Sequence, residues 1–369
     1  MNQLFRWDQT GLFLLALAAG ILPFAVPEVC AAALREGLTL CSGPLLLSLF
    51  PFLVVSRLLI QCPESDLLAL PFRLAAWGIG IRTPCAARVL CIGFLGGFAP
   101  AASAAAQAVR TGQLTAEEAD ALLPACICSG PSFVVLTVGQ SLLGSAELGV
   151  LLFASQITAN YLTAALLNRF AGMHSVKPGS AAPAFPAPPR LDEILADAAI
   201  TYCKLCGFIL FFRMLAAGAG ALLPAGAGTL CAVLLEVCSG CDLASRTGRW
   251  GSLLCCAALS VQGLSVLLQV RTICPPEMTL RPLYRSRLLH LPLSLALFYL
   301  LLPGGEADVF STLPARVLLK RRVPPDCALL VFAVCCMAAC TLRSGIRQVE
   351  QKQMARNAGG CCINSKTLL

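Results

Sequence analysis

The chain has 369 residues, of which 57% are hydrophobic and 12% charged, with a mean hydropathy of +0.79 and a formal net charge of +8. Ordinary soluble domains carry about 25% charged residues, so the composition excludes a water-soluble globular chain and reads as an all-α polytopic membrane protein. Its basic residues sit in loops and the tail, as topology signals do, and no basic run is interleaved with stacking aromatics, which excludes a nucleic-acid partner.

Residues 1–39 read as a membrane helix followed by an interfacial segment. Arg6 precedes an apolar run over 11–26 that is longer than a signal-peptide core and has no small-residue cleavage site behind it, so it is expected to stay as the first span. Glu28, Arg35 and Glu36 share one face of an amphipathic stretch, 28–39, suited to the interface. A larger unit covers 40–170. It opens with a span over 41–61 kinked at Pro51 and an interfacial stretch, 66–82, carrying Arg73, Trp77 and Arg82. The run 85–109 breaks at Gly96, Gly97 and Pro100, then continues as an Ala/Ser helix whose small side chains allow close helix contact. Thr115 and Glu118 have capping-box spacing, and Glu117, Glu118 and Asp120 read as a solvated helix start. Residues 124–143 break again at Ser129, Gly130 and Pro131. About a dozen apolar residues follow, which suits a re-entrant arm better than a span. A full span over 147–168 closes the unit.

Residues 171–191, rich in Ala, Pro and Gly, read as a linker. The second unit, 192–302, starts at Asp192 and Glu193 and has a span over 194–217. An apolar run over 222–240 is interrupted between Glu236 and Gly240, and one over 251–270 is broken at Gln262 and Gly263. A basic connector, 274–287, leads to a short span, 288–302. Residues 303–342 are expected to hold a loop and an extra C-terminal membrane helix, and 343–369 a basic tail. The distribution of Lys and Arg favours a cytoplasmic tail, against which stands the cluster Lys320, Arg321 and Arg322.

Helices broken within a membrane free backbone groups that lipid cannot satisfy, so the breaks must face protein or a wet cavity. Interruptions at matching places in two halves point to the binding site of a secondary transporter. The candidate pathway residues are therefore Gly97, Phe98, Ser129, Gly130, Pro131, Glu236, Gly240, Gln262, Gly263, Ser265 and Gln269. Glu236 is a carboxylate deep in an apolar run, a costly and by default functional placement. It either binds a proton or sodium ion or caps a broken helix, the bland alternative being an interfacial acid beside Arg246. Gln140, Gln262, Ser265 and Gln269 either line a cavity or bridge helices. The chain has no P-loop, HExxH or GxSxG motif. With only His174, in the linker, and His290, at the start of a span, no catalytic constellation, metal site or cofactor is expected. Most of the 21 cysteines lie in apolar segments and read as small hydrophobes. The pairs Cys203/Cys206 and Cys238/Cys241 have zinc-like spacing without a polar, turn-rich context.

The order and spacing of several motifs resemble one known family. They are Phe50-Pro51-Phe52; Gly93, Gly97 and Ala102; the stretch from Gly112 to Leu123; Ser129-Gly130-Pro131 with Phe133; Thr137-Val138-Gly139; Glu236 with Gly240; and Gly263-Leu264-Ser265-Val266 with Gln269 and Val270. Over about 40–300 the chain resembles the YlbJ-type sporulation integral membrane proteins of endospore-forming Firmicutes, which contain the nucleoside-recognition or Gate domain. Phe98-Ala99 stands where that family has Tyr-Pro, Ile127 and Cys128 where it has Asn, and Leu267 where it has His. The resemblance implies two inverted Gate-type repeats with re-entrant helices. It also implies a role in spore formation, with movement of dipicolinic acid across the outer forespore membrane. The residues themselves support a permease of a small polar or anionic solute, with or without a coupling ion. A planar dianion would suit half-helix N-termini and a nearby Arg. A nucleoside or ion permease is the alternative, and a membrane scaffold that recruits partners through the tail, 343–366, is the alternative of another class.

Overall fold

The computed structural model describes residues 9–62, 64–171 and 191–302. The linker, the extra C-terminal helix and the basic tail expected from the sequence lie outside the described residues, as does His174. The described residues form helices and no strands: α1 Gln9–Ala25, α2 Pro27–Ser42, α3 Pro44–Gln61, the short α4 Ser65–Leu68 and α5 Leu70–Gly78, α6 Pro84–Gly96, α7 Phe98–Arg110, α8 Ala116–Cys126, a π-helix over Ser132–Leu142, and α9 Ala146–Phe170. After the linker come α10 Leu191–Leu222, α11 Ala225–Leu235, α12 Val237–Ser245, α13 Gly251–Val261, α14 Gly263–Ile273 and α15 Arg281–Leu301.

Four stretches are long and apolar enough to cross a membrane: 27–61, 146–170, 191–222 and 248–273. The first span expected over 11–26 appears as α1, whose apolar part is among the shorter helices. Phe24, Leu47, Phe170, Leu288 and Leu300 point outward with at least 74% of their surface open. An apolar outer surface of this kind suits lipid rather than water.

Apart from the short α4 and α5, which have no counterpart after the linker, a similar order of elements occurs on both sides of it. In the first half α3 is followed by two interrupted helices, α6/α7 and α8/π-helix, and by α9. In the second, α10 is followed by α11/α12 and α13/α14, and by α15. Each interruption has a local cause. Gly97 takes φ 82° and ψ −163°, a region open essentially to glycine alone. Gly130 precedes Pro131, whose ring disfavours a helical residue before it. Glu236 is extended at φ −151° and ψ 126°. Gln262 is left-handed at φ 67°, and Gly263 follows at φ 69°.

Small side chains set the packing. Ala99, Ala101, Ala102, Ala104, Ala105 and Ala108 of α7 are all fully buried, and α7 packs against α3, α6, α8 and α14. The π-helix folds back on α9 where Gly139 faces Gly149 backbone to backbone. The capping box forms: Thr115 Oγ1 accepts from the Glu118 N–H at 3.1 Å, and Glu118 Oε2 accepts from the Thr115 N–H at 3.0 Å.

The acids behind that cap are not solvated. Glu118 and Asp120 are both buried, while Glu117 is exposed. Glu118 also accepts from Thr83 Oγ1. Asp120 accepts from the N–H and hydroxyl of Thr279 at 2.8 and 2.6 Å and from the Leu280 N–H at 3.1 Å. It thereby ties α8 to the loop that launches α15, in which Leu280 has φ 57°. Asp120→Ala is expected to cost about 2–4 kcal/mol, because buried donors lose a charged acceptor. The measurement is the midpoint of thermal unfolding in detergent, and an unmoved midpoint would contradict this tie.

Candidate functional site

Within each half the two interruptions cross at backbone distance. A Cβ built on Gly97 would lie 2.6 Å from the Gly130 nitrogen and 2.9 Å from its Cα. One on Gly263 would lie 3.0 Å from both the Glu236 nitrogen and the Leu235 carbonyl oxygen. The two crossings meet where Gln262 Nε2 donates to Ser129 Oγ at 3.4 Å. A cavity of about 70 Å³ lies beside them, lined by residues at the breaks of α6/α7, α8/π-helix and α11/α12, and by Val266 and Gln269 one and two turns into α14.

Of the residues singled out in the sequence, Phe98, Ser129, Gly130, Glu236 and Gln269 line this cavity. Gly97 stands just behind it in the first crossing, and Gln262 and Gly263 build the second. Ser265 accepts from Gln269 Nε2 at 2.9 Å and so orients that amide. Pro131 starts the π-helix. Gly240 belongs elsewhere: a Cβ there would meet the Val233 Cα at 2.8 Å, so its role is the close packing of α12 on α11. Gln140 is exposed. Phe52, Leu95, Phe133 and Ile209 complete an apolar wall that the sequence had not marked as a group.

Glu236 is only 2% exposed. Its carboxylate accepts from the N–H groups of Cys238 and Ser239 at 2.8 and 2.7 Å, and from Ser239 Oγ at 2.9 Å. These donors belong to the first turn of its own helix, α12. They satisfy the carboxylate at a helix N-terminus, where the backbone dipole favours negative charge. Arg246 does not shield it, being paired with Asp242 at 2.8 Å. Two acceptors near the cavity remain without a partner, Gln262 Oε1 and Gln269 Oε1.

A second polar cluster lies between α9 and α15, and the sequence reading missed it. His290 is 1% exposed and lies mid-helix, with Nε2 at 3.2 Å from the Gln156 carbonyl oxygen. It is an interior residue, not an interfacial one. Arg287, also buried, donates to the carbonyl of Ile127 at 3.4 Å and to Asn160 Oδ1 at 3.3 Å. Gln156 Nε2 donates to Ser260 Oγ at 2.9 Å, linking α9 to α13. The signal was present as spacing: Leu283, Arg287, His290, Ser294 and Phe298 fall on one helical face, and all are buried.

The cysteines of the interior, among them Cys126, Cys128, Cys241, Cys255 and Cys256, are free and buried, whereas Cys203 is exposed on α10. Among the described residues no group of three or more His, Cys, Asp or Glu is placed to hold a metal ion. No family model, no curated protein and no solved structure matches the chain.

Proposed function

We propose that the protein is a membrane permease that moves a small polar or anionic solute through the point where its interrupted helices meet. One observation carries this: four helix breaks, two from each half, pair in backbone-close crossings, and three of them line one cavity while the fourth, at Gln262 and Gly263, packs directly behind Glu236. Freed backbone groups at membrane depth are tolerated only against protein or a water-lined space, and pairs of discontinuous helices are the architecture that binds solutes in secondary transporters. The recurring order of elements fits two inverted repeats, each contributing one crossing.

The sequence motifs extend the proposal to the YlbJ-type Gate-domain family, and with it to dipicolinate and the outer forespore membrane. The test uses purified protein in liposomes without ATP, with dipicolinate, benzoate and uridine as probes. Uptake of at least one probe above empty liposomes is expected. Dipicolinate alone would favour the sporulation reading, and uridine the nucleoside alternative. No uptake of any probe, together with loss of cellular function on deleting 343–369, would replace the permease with a scaffold.

A further inference from the structure

A second cavity, of about 170 Å³, opens where the ends of α3, α7 and α14 approach the first turns of α10. That is the bulk volume of about six waters. Its lining contains three cations, Arg57, Arg110 and Lys204, and one carboxylate, Asp197. Asp197 is taken by Arg57 at 2.5 Å. Arg110 and Lys204 are exposed at the rim and have no ion-pair partner among the described residues. The helix dipole accounts for a cation in the last turn of α7, where Arg110 sits. It does not account for Lys204, which lies in the N-terminal half of α10.

The floor of this vestibule is polar and unsatisfied. Ser103 and Gln269 are each 2% exposed and line it. Among the described residues neither Ser103 Oγ nor Gln269 Oε1 has a hydrogen-bond partner. A buried polar atom without a partner costs about 1–3 kcal/mol, so two at the floor of one cavity mark a place where something else supplies the bonds. Gln269 also lines the cavity at the helix crossings. Gln269 thus borders both the cationic vestibule and the broken-helix centre.

From this arrangement we infer that the vestibule is the loading site of the permease and that it selects a small organic anion carrying a hydrogen-bond donor of its own. Arg110 and Lys204 draw the anionic group in. The donor group of the solute meets the open Oε1 of Gln269 before the solute passes inward. The inference rests on the permease reading and narrows its substrate class from polar solutes to anions.

The test reads charge selection at the rim without needing transport. Thr272 is exposed and lines the vestibule. The full-length Thr272→Cys variant in liposomes is labelled with the anionic sulfonatoethyl methanethiosulfonate or the cationic trimethylammonioethyl reagent. Labelling at position 272 is followed by peptide mass spectrometry, so the native cysteines do not interfere. Each rate is normalised to the same reagent's rate with free 2-mercaptoethanol. The anionic reagent is expected to be favoured about tenfold at low salt, as for a cleft of one charge sign, and less at high salt. Adding Arg110→Gln and Lys204→Gln, both surface changes, should bring the ratio close to one. A parent ratio at or below one, or a ratio unchanged by the double substitution, overturns the inference. Anion preference at 272 without uptake of any probe overturns the permease reading and leaves the anion-selective vestibule. Uptake without that preference overturns the vestibule and leaves the permease.

Discussion

Glu236→Gln is expected to insert and fold but to lose gradient-driven accumulation of solute by about tenfold or more. The carboxylate lines a cavity of about 70 Å³, too small to hold an anionic solute beyond the reach of its charge. Two like charges about 4 Å apart repel by roughly 4 kcal/mol at the effective dielectric of a protein site. On the permease reading, a solute anion would therefore enter more readily with a coupling cation beside it. Glutamine keeps the shape and one acceptor but removes the charge that would attract such a cation. Solute exchange across the membrane should persist while accumulation driven by an ion gradient falls. The cap on α12 weakens as well, at about 1–2 kcal/mol, so uptake must be expressed per folded molecule. Accumulation unchanged on that basis, with only a lowered unfolding midpoint, would leave Glu236 as a helix cap and nothing more.

Gly97→Ala should be among the most damaging small substitutions in the described residues. The added methyl group would lie 2.6 Å from the nitrogen of Gly130, and backbone cannot rotate aside as a long side chain can. The residue would also have to hold a conformation open essentially to glycine, at about 1–3 kcal/mol, before any overpacking of about the same size. The sum, about 3 kcal/mol or more, is a large part of ordinary protein stability. The comparison is Gly207→Ala on α10, where an added Cβ meets nothing within 4 Å and the helix gains about 0.5–1 kcal/mol. Thermal unfolding and the yield of monodisperse protein in detergent should separate the two variants. If Gly97→Ala melts with the parent, the crossing is not as close as described.

The breaks were legible because their causes are local. Gly96-Gly97 before Phe98, Ser129-Gly130-Pro131, and Gln262-Gly263 each weaken a helix locally, although a lone glycine does not suffice, since Gly207 before Phe208 lies inside the unbroken α10. That the interruptions would pair by halves was legible from their order. What each side chain does there was less so. The donors for Glu236 come from its own next turn, through Cys238 and Ser239, and not from the breaks packed against it. Gly240 was grouped with the site by proximity in sequence, yet its missing side chain serves α11. The start of α15 was hidden by composition: Arg281, Arg285 and Arg287 made 281–287 look like a connector. Pro282 at its first turn and the spacing from Leu283 to Phe298 argued for a helix. Asp120 and Glu118 looked solvated because a capping box normally is. Their burial depends on Thr83 and Thr279, which lie far along the chain. The π-helix had no sequence signal, and the Gly139–Gly149 approach that packs it on α9 joins residues of two different elements.

The two crossings also have a mechanical meaning. Inside each one, backbone lies against backbone with no side chain between, so neither can flex without steric conflict. Between them runs one long hydrogen bond, from Gln262 to Ser129. Breaking a bond of that kind costs about 1 kcal/mol, close to thermal energy. At the depth of the breaks the molecule is therefore two stiff joints meeting along a soft seam. Elsewhere the halves are tied more firmly, by Asp120 to Thr279 and Leu280, by Gln156 to Ser260 and by Arg287 to Ile127 and Asn160, so any yielding at the crossings is confined to the place where they meet.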